Sequence, residues 1–299
     1  TEAVARISPR LPALARLLAR ARLRRDGAAD GEAAVCNVFG LHGDAAAVAP
    51  IARMGEPDAP AEERDHWWLR LDPVHLRVDA DHARLFGPYA LGLGPPEAEE
   101  LTQRLNAHLQ ADGLTIEAPA PERWYVRMDH PPQLRTHPLP EVIGRNVHLF
   151  MPSGAGASRW RARLTEIQML LHDAPANARR EARGRLPANS VWPWGVGVLP
   201  EVTESPARIV AADSLSHGLA RLAGSRAVLP ADARDAAQWP AGLSVVADFR
   251  ARDPLLHGEI EGWFEALDAL ERDWVEPGLR ALARGTVDRL ELEPCDGRR

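Results

Sequence analysis

The run "HWWLRLDPVHLRV", His66 to Val78, alternates apolar and polar side chains, and a period of two restricts it to a half-buried strand with a turn. The segment downstream must supply what covers that strand. In "EAEELTQRLNAHLQADG" the leucines Leu101, Leu105 and Leu109 recur every four residues, with Pro96 near the first turn and Gly113 at the end. This predicts an amphipathic helix with its start and stop signals in place. "LTIEA" and "RWYVRM" follow as short strands, so Trp67 to Met128 reads as a β-α-β-β unit whose sheet is faced by one helix.

A Pro-rich connection from His130 to Pro140 leads to a long helix beginning near Ser158, with Trp160, Leu164, Ile167 and Leu171 on one face. "LHDAPANARREARG" breaks at Pro175 and stops at Gly184. Beyond it, "ARIVAAD" and "LSVVADF" read as buried strands, and "SLSHGLARLAG" as a helix opened by Asp213 or Ser214. A helix from about Gly258 to Arg284 and a terminal strand "VDRLELEP" close the chain. The expected fold class is α/β, a mostly parallel sheet flanked by helices with a small β-α-β-β subdomain. The expected division is 1–63, an N-terminal helical region packing on the core; 64–150, the small subdomain; and 151–299, the main α/β domain.

All 36 basic residues are arginine. A chain without lysine has no phosphate loop of the G-x-x-x-x-G-K-[ST] kind and no Schiff-base lysine. The two cysteines, Cys36 and Cys295, make neither a disulfide framework nor a thiolate zinc site, which suits a reducing, cytoplasmic compartment. No window approaches the roughly 18 apolar residues of a membrane helix. The arginine-rich stretch "RLPALARLLARARLRRDG" is amphipathic. In a chain of net charge -6 it reads as a helix packing on the protein with its arginines in water, rather than as a nucleic-acid or membrane contact.

The segment "LPANSVWPWGVGVLP", Leu186 to Pro200, gathers two tryptophans, three prolines and two glycines in what reads as a loop. Gly195 and Gly197 let backbone approach a ligand closely. Asn189 and Asn177 each offer an amide donor and a carbonyl acceptor, and Arg180, beside Arg179 and Arg183, offers a fork for phosphate or carboxylate. With Trp192 and Trp194 as walls, these make an anion pocket. The competing reading is a core plug, with the asparagines holding backbone and the glycines turning the chain. His172, at a helix end, is a proton carrier or a ligand-binding residue of that pocket, or else a residue placed for the helix dipole.

Three stretches, "WWLRLDPVHLRVDADHARL", "EAEELTQRLNAHLQADGLTIEAPAPERWYVRM" and "LTEIQMLLHDAPANARREARGRLPANSVWPWGVGVLP", resemble the proteobacterial regulatory proteins of RpfE type. Those proteins are similar in turn to archaeal-type 2,3-bisphosphoglycerate-independent phosphoglycerate mutases of the alkaline phosphatase superfamily. The resemblance covers roughly residues 65 to 299. One departure is that "HDAPAN" carries Ala174 where relatives commonly have a second histidine.

The mutase resemblance implies a two-metal phosphoryl-transfer site built from Asp and His ligands around a hydroxyl nucleophile. "VCNVFGLHGD" lacks the aspartate expected after the first strand, and "EPCDGRR" carries no Asp-His pair. "ARDPLLHG" places Asp253 and His257 four apart, as ligands in the mutases' D-x-x-G-H segment are, and this pair is the candidate for a divalent ion such as Mn2+ or Zn2+. His130, His137 and His148 are spaced too irregularly for a zinc site. The expectation is a non-catalytic relative with no resident cofactor. It would bind an anionic metabolite or a protein partner, with neither nucleic acid nor membrane involved. The alternative is a reduced metal-dependent mutase or phosphoesterase.

Overall fold

A computed structural model describes residues 9–22, 28–43, 47–59, 64–79, 82–232, 239 and 241–295. The longer helices, in chain order, are α1 (Pro12–Arg20), α2 (Gly31–Val38), α3 (Val48–Met54), α4 (Pro95–Leu109) and α5 (Ala157–His172). They continue as α6 (Pro175–Glu181), α7 (Ser214–Leu222), α8 (Arg252–His257), α9 (Ile260–Leu270) and α10 (Glu276–Ala283). The strands are β1 (Trp67–Asp79), β2 (His82–Phe86), β3 (Thr115–Ala120), β4 (Arg123–Met128), β5 (Ser190–Gly197), β6 (Arg208–Ala211), β7 (Arg226–Val228) and β8 (Ser244–Ala247).

The chain forms two units, one from Ala47–Pro200 and one from Thr1–Ala46 with Glu201–Arg299. The divisions fall near residues 46 and 200. The reason lies in β5, which pairs with β1 and so draws the chain up to Pro200 into the first unit.

That first unit holds a five-stranded sheet in which β1 pairs with β2, β4 and β5, and β3 adds to β4. Every pairing in it is antiparallel. The expectation of a mostly parallel sheet is therefore corrected: hairpins join β1 to β2 and β3 to β4, and hairpins pair antiparallel. The turn expected within His66–Val78 is absent too, since β1 runs unbroken from Trp67 to Asp79. Pro73 falls between the β4 pairing, which ends at Arg70, and the β2 pairing, which starts at His75. A missing N–H there costs no ladder bond on that side.

Alternation gives this sheet two unlike faces. On one, Leu69, Leu71, Ile116, Trp124, Val126 and Val191 are buried beneath α4 and α5, which contribute Leu101, Leu105, Leu109, Trp160, Leu164, Ile167 and Leu171. The expected leucine stripe and the expected face of the long helix are both found in this core. Each fully buried leucine contributes about 1.5–3 kcal/mol. The other face carries charge and is covered by α3, which packs on β1 and β5.

In the second unit β7, β6 and β8 form a three-stranded parallel sheet, with α7 as the crossover between β6 and β7. Asp213 caps α7 by accepting the Ser216 N–H at 2.8 Å, as expected of a residue opening that helix. The long C-terminal helix is broken by a π-helical stretch, Glu271–Val275. There the Glu271 carboxylate accepts the N–H groups of Ala13 (2.5 Å) and Leu14 (2.8 Å). It caps α1, whose own N-cap, Leu11, has no side chain to do so. Residues 287–294 form no strand; with Asp288, Arg289, Glu291 and Glu293 in that stretch, an edge would be costly to bury. No helix among the described residues is long and apolar enough to cross a membrane.

Candidate functional site

The polar face of the antiparallel sheet is organised by two residues of one strand. Arg70 and Asp72, two apart on β1, point to the same side, and both are buried. Arg70 donates through Nε and Nη2 to Asp72 Oδ1 at 3.0 and 2.9 Å, and through Nη2 to Oδ2 at 2.8 Å. The Trp124 amide adds a bond to Oδ1 at 3.1 Å, and the Trp194 indole donates to Oδ2 at 2.7 Å. The guanidinium also lies over the Tyr125 and Trp194 rings. Burial works against Arg70's charge, yet Asp72 holds its pKa above the ordinary arginine value.

A second ion pair adjoins the first. Glu56, also buried, accepts from Arg123 at 2.7 and 3.0 Å and from the Tyr125 hydroxyl at 2.7 Å. Burial pushes the Glu56 carboxyl up, but those donors win and hold it below its usual value. Arg53 of α3 reaches Glu117 at 2.9 Å and Asp58 at 3.0 Å. Both Asp72 oxygens are thus filled by protein donors. The cluster ties α3, β1, β4 and β5 together.

The segment Leu186–Pro200 supplies one wall of this arrangement. It is not a loop, because Ser190–Gly197 is an edge strand against β1, a position that tolerates Pro193. Trp194 stands opposite Arg70 and Trp192 opposite Asp72, and the Trp192 indole donates to the His137 carbonyl at 3.0 Å. The register slips between Trp68 and Arg70, where Gly195 takes φ +65° as a bulge requires. A Cβ on Gly197 would lie 2.3 Å from the Ala47 Cβ, and one on Gly195 3.1 Å from the Val48 Cβ. What approaches these glycines closely is the start of α3.

The amides and the guanidinium are similarly engaged. Asn177 donates to the Leu171 and Ala188 carbonyls and accepts the Ala188 N–H, all at 2.8–2.9 Å. Asn189 makes a reciprocal pair with the Leu76 backbone at 2.7 and 2.9 Å. Arg180, 1% exposed, donates to the Leu186 carbonyl at 2.8 Å, to Glu97 at 2.6 Å and to the Leu91 carbonyl. Burial pushes the Glu97 carboxyl up, yet the Gly94 amide and the Arg180 charge hold it below its ordinary value. His172 is exposed at the last position of α5.

Asp253 and His257 both lie on the short α8, and the His257 Nδ1 bonds to the Asp253 backbone carbonyl at 2.7 Å. Around the carboxyl ends of the parallel strands, where ligands of α/β sheets bind, the acidic side chains have partners. Asp213 caps α7, Glu32 meets Arg252 at 2.6 Å, and Asp248 and Asp273 share Arg250 at 2.6 and 2.9 Å. Burial, with the charges of Glu32, Asp30 and Asp213, pushes the Cys36 thiol up to about 12. Among the described residues no three of His, Cys, Asp and Glu gather closely enough to hold a metal ion.

Sequence reasoning missed Arg70, Asp72 and Glu56. The available signal was charge at core positions of an alternating strand: "LRLDP" places Arg and Asp on the face that carries Trp68 and Val74, both of which are buried.

No protein-family model matches the chain. The 2,3-bisphosphoglycerate-independent phosphoglycerate mutase of Methanosarcina barkeri is 26% identical over 167 residues, 52% of this chain and 42% of its own length. Mutase 2 of Methanothermobacter thermautotrophicus is 27% identical over 160 residues, 46% of this chain and 40% of its own. A solved cofactor-independent phosphoglycerate mutase from Thermoplasma acidophilum aligns with a TM-score of 0.39 at 16% identity, covering 75% of this chain and 65% of that one. The chain spans less than half the length of the curated relatives it matches, and its similarity is to cofactor-independent phosphoglycerate mutases.

Proposed function

We propose that the chain is a phosphoglycerate-mutase-like protein of the RpfE regulatory type, within the alkaline phosphatase superfamily, that turns over no substrate. It acts by binding an anionic, phosphorylated metabolite or a protein partner. The observation that carries this reading is the state of the mutase-like run itself. Asn177, Arg180, Asn189 and the two indoles of Trp192 and Trp194 spend their polar groups on the protein's own backbone and on Asp72. A two-metal phosphoryl transfer needs several carboxylates and imidazoles converging on a hydroxyl. Asp253 and His257 have no third such residue beside them among the described residues. The run therefore has a scaffolding task, holding β5 and α3 against the Arg70–Asp72 centre, and a cytoplasmic setting suits a chain with a buried, unpaired thiol.

The test combines metal analysis of the purified protein with thermal stabilisation by phosphorylated three-carbon acids. The expected result is no bound divalent metal and an upward shift of Tm with the phosphorylated acids. Stoichiometric metal, lost in Asp253→Ala, would favour the reduced enzyme instead.

A further inference from the structure

The amino ends of the parallel strands hold a group of polar side chains that neither the mutase-like run nor the acidic residues account for. Arg208, the first residue of β6, is 7% exposed, and its Nε and Nη1 are buried without a hydrogen-bond partner. Its register partner on β7 is Arg226, and its register partner on β8 is Ser244. In a parallel sheet, residues in register project to the same face about 4.8 Å apart. Two guanidinium groups therefore start side by side on adjacent strands, a pairing that costs stability when the charges are alike. Among the described residues neither guanidinium has a carboxylate partner. The Ser244 hydroxyl beside them is also buried and unpartnered, as is that of Ser225, which precedes Arg226 at the same end of the sheet. One contact of Arg208 is with the Trp239 ring, 5.8 Å from its centroid, which shields the charge without neutralising it.

A buried guanidinium with idle donors, a second one beside it and a free hydroxyl are the chemistry of an oxyanion site. We propose that Arg208, Arg226 and Ser244 bind a phosphate or carboxylate group of a small molecule at the amino end of the β7-β6-β8 sheet. The anion would accept from the Arg208 fork and the Ser244 hydroxyl, and would lie between two cations that otherwise repel. This takes up the anion-binding part of the function proposed above, at a place distinct from the Asp253–His257 pair.

The experiment is titration of the intact chain with inorganic phosphate and, separately, with malonate, each at ionic strength held constant with sodium chloride. Tm and 31P line width are followed. Wild type is expected to gain stability with one or both oxyanions beyond the chloride control, and the stronger response tells phosphate from carboxylate. Arg226→Gln, at an exposed position, and Ser244→Ala are each expected to weaken binding about tenfold while leaving the protein folded in chloride. Arg208→Gln is expected to abolish it. Equal responses to chloride and both oxyanions, or undiminished affinity in folded Arg226→Gln and Ser244→Ala, would overturn the site. That outcome would leave the non-catalytic reading standing, whereas metal-dependent turnover would overturn that reading and leave the site intact.

Discussion

The Trp194 indole donates a 2.7 Å hydrogen bond to Oδ2 of Asp72, joining the edge strand β5 to a carboxylate that Arg70 already clamps. The bond explains why an indole stands at that position. A buried acceptor beyond the reach of water needs a donor, and the indole N–H, itself in need of a partner when buried, supplies one. Trp194→Phe is expected to lower unfolding free energy by about 1.5–3 kcal/mol, the range for a bond to a charged group. Asp72→Ala, which strands Arg70, is expected to cost about 3–5 kcal/mol. Urea denaturation of the two variants and their double mutant should show the effects to be non-additive; simple additivity would mean the bond is not made.

The glycines of β5 are set by α3. Gly197→Ala puts a Cβ 2.3 Å from that of Ala47 and is expected to cost about 1–3 kcal/mol by overpacking. Gly195→Ala places an L-residue at φ +65°, at about 1–2 kcal/mol. A thermal melt in which both variants match wild type would contradict the packing of α3 on the bulge.

Asn177 serves three backbone groups at once. Asn177→Ala leaves the Ala188 N–H and C=O without the partner that joins them to α6, at a cost of about 1–3 kcal/mol for each group stranded. Amide exchange at Ala188, slow in wild type, should become measurably faster in the variant; unchanged protection there would show that another group serves it.

Two ionisable groups give opposite pH signatures. The Glu56 carboxyl is held below its usual value, so its stabilisation is present above the unfolded carboxyl pKa and is lost as pH falls through the folded one. Glu56→Gln should flatten the acid limb of the stability profile. The Cys36 thiol, raised from 9.0 to about 12, contributes stability below 9 that is lost as pH rises toward 12. In the native protein at pH 8 it should stay unmodified by a thiol reagent until denaturant is added; native-state labelling of Cys36 would contradict its burial.

Local rules carried the sequence reading a long way. The Leu101–Leu105–Leu109 stripe, the Trp160–Leu171 face and the Asp213 cap all express contacts within one element, and periodicity or capping chemistry reveals those. The antiparallel pairing of β5 with β1 spans more than a hundred residues of sequence and has no local signature. Its proline and two glycines read as a loop because their edge position and bulge exist only once β1 is beside them. The same holds for the π-helical Glu271, whose capping partners lie at the other end of the chain.

The claim that this chain performs no chemistry is tested most directly by a coupled assay of phosphoglycerate isomerisation, with phosphate release measured in parallel. The protein is supplied with Mn2+, Mg2+ or Zn2+ in turn. The account predicts rates equal to the protein-free control with every ion. Metal-dependent turnover that disappears in Asp253→Ala and in His257→Ala would contradict it.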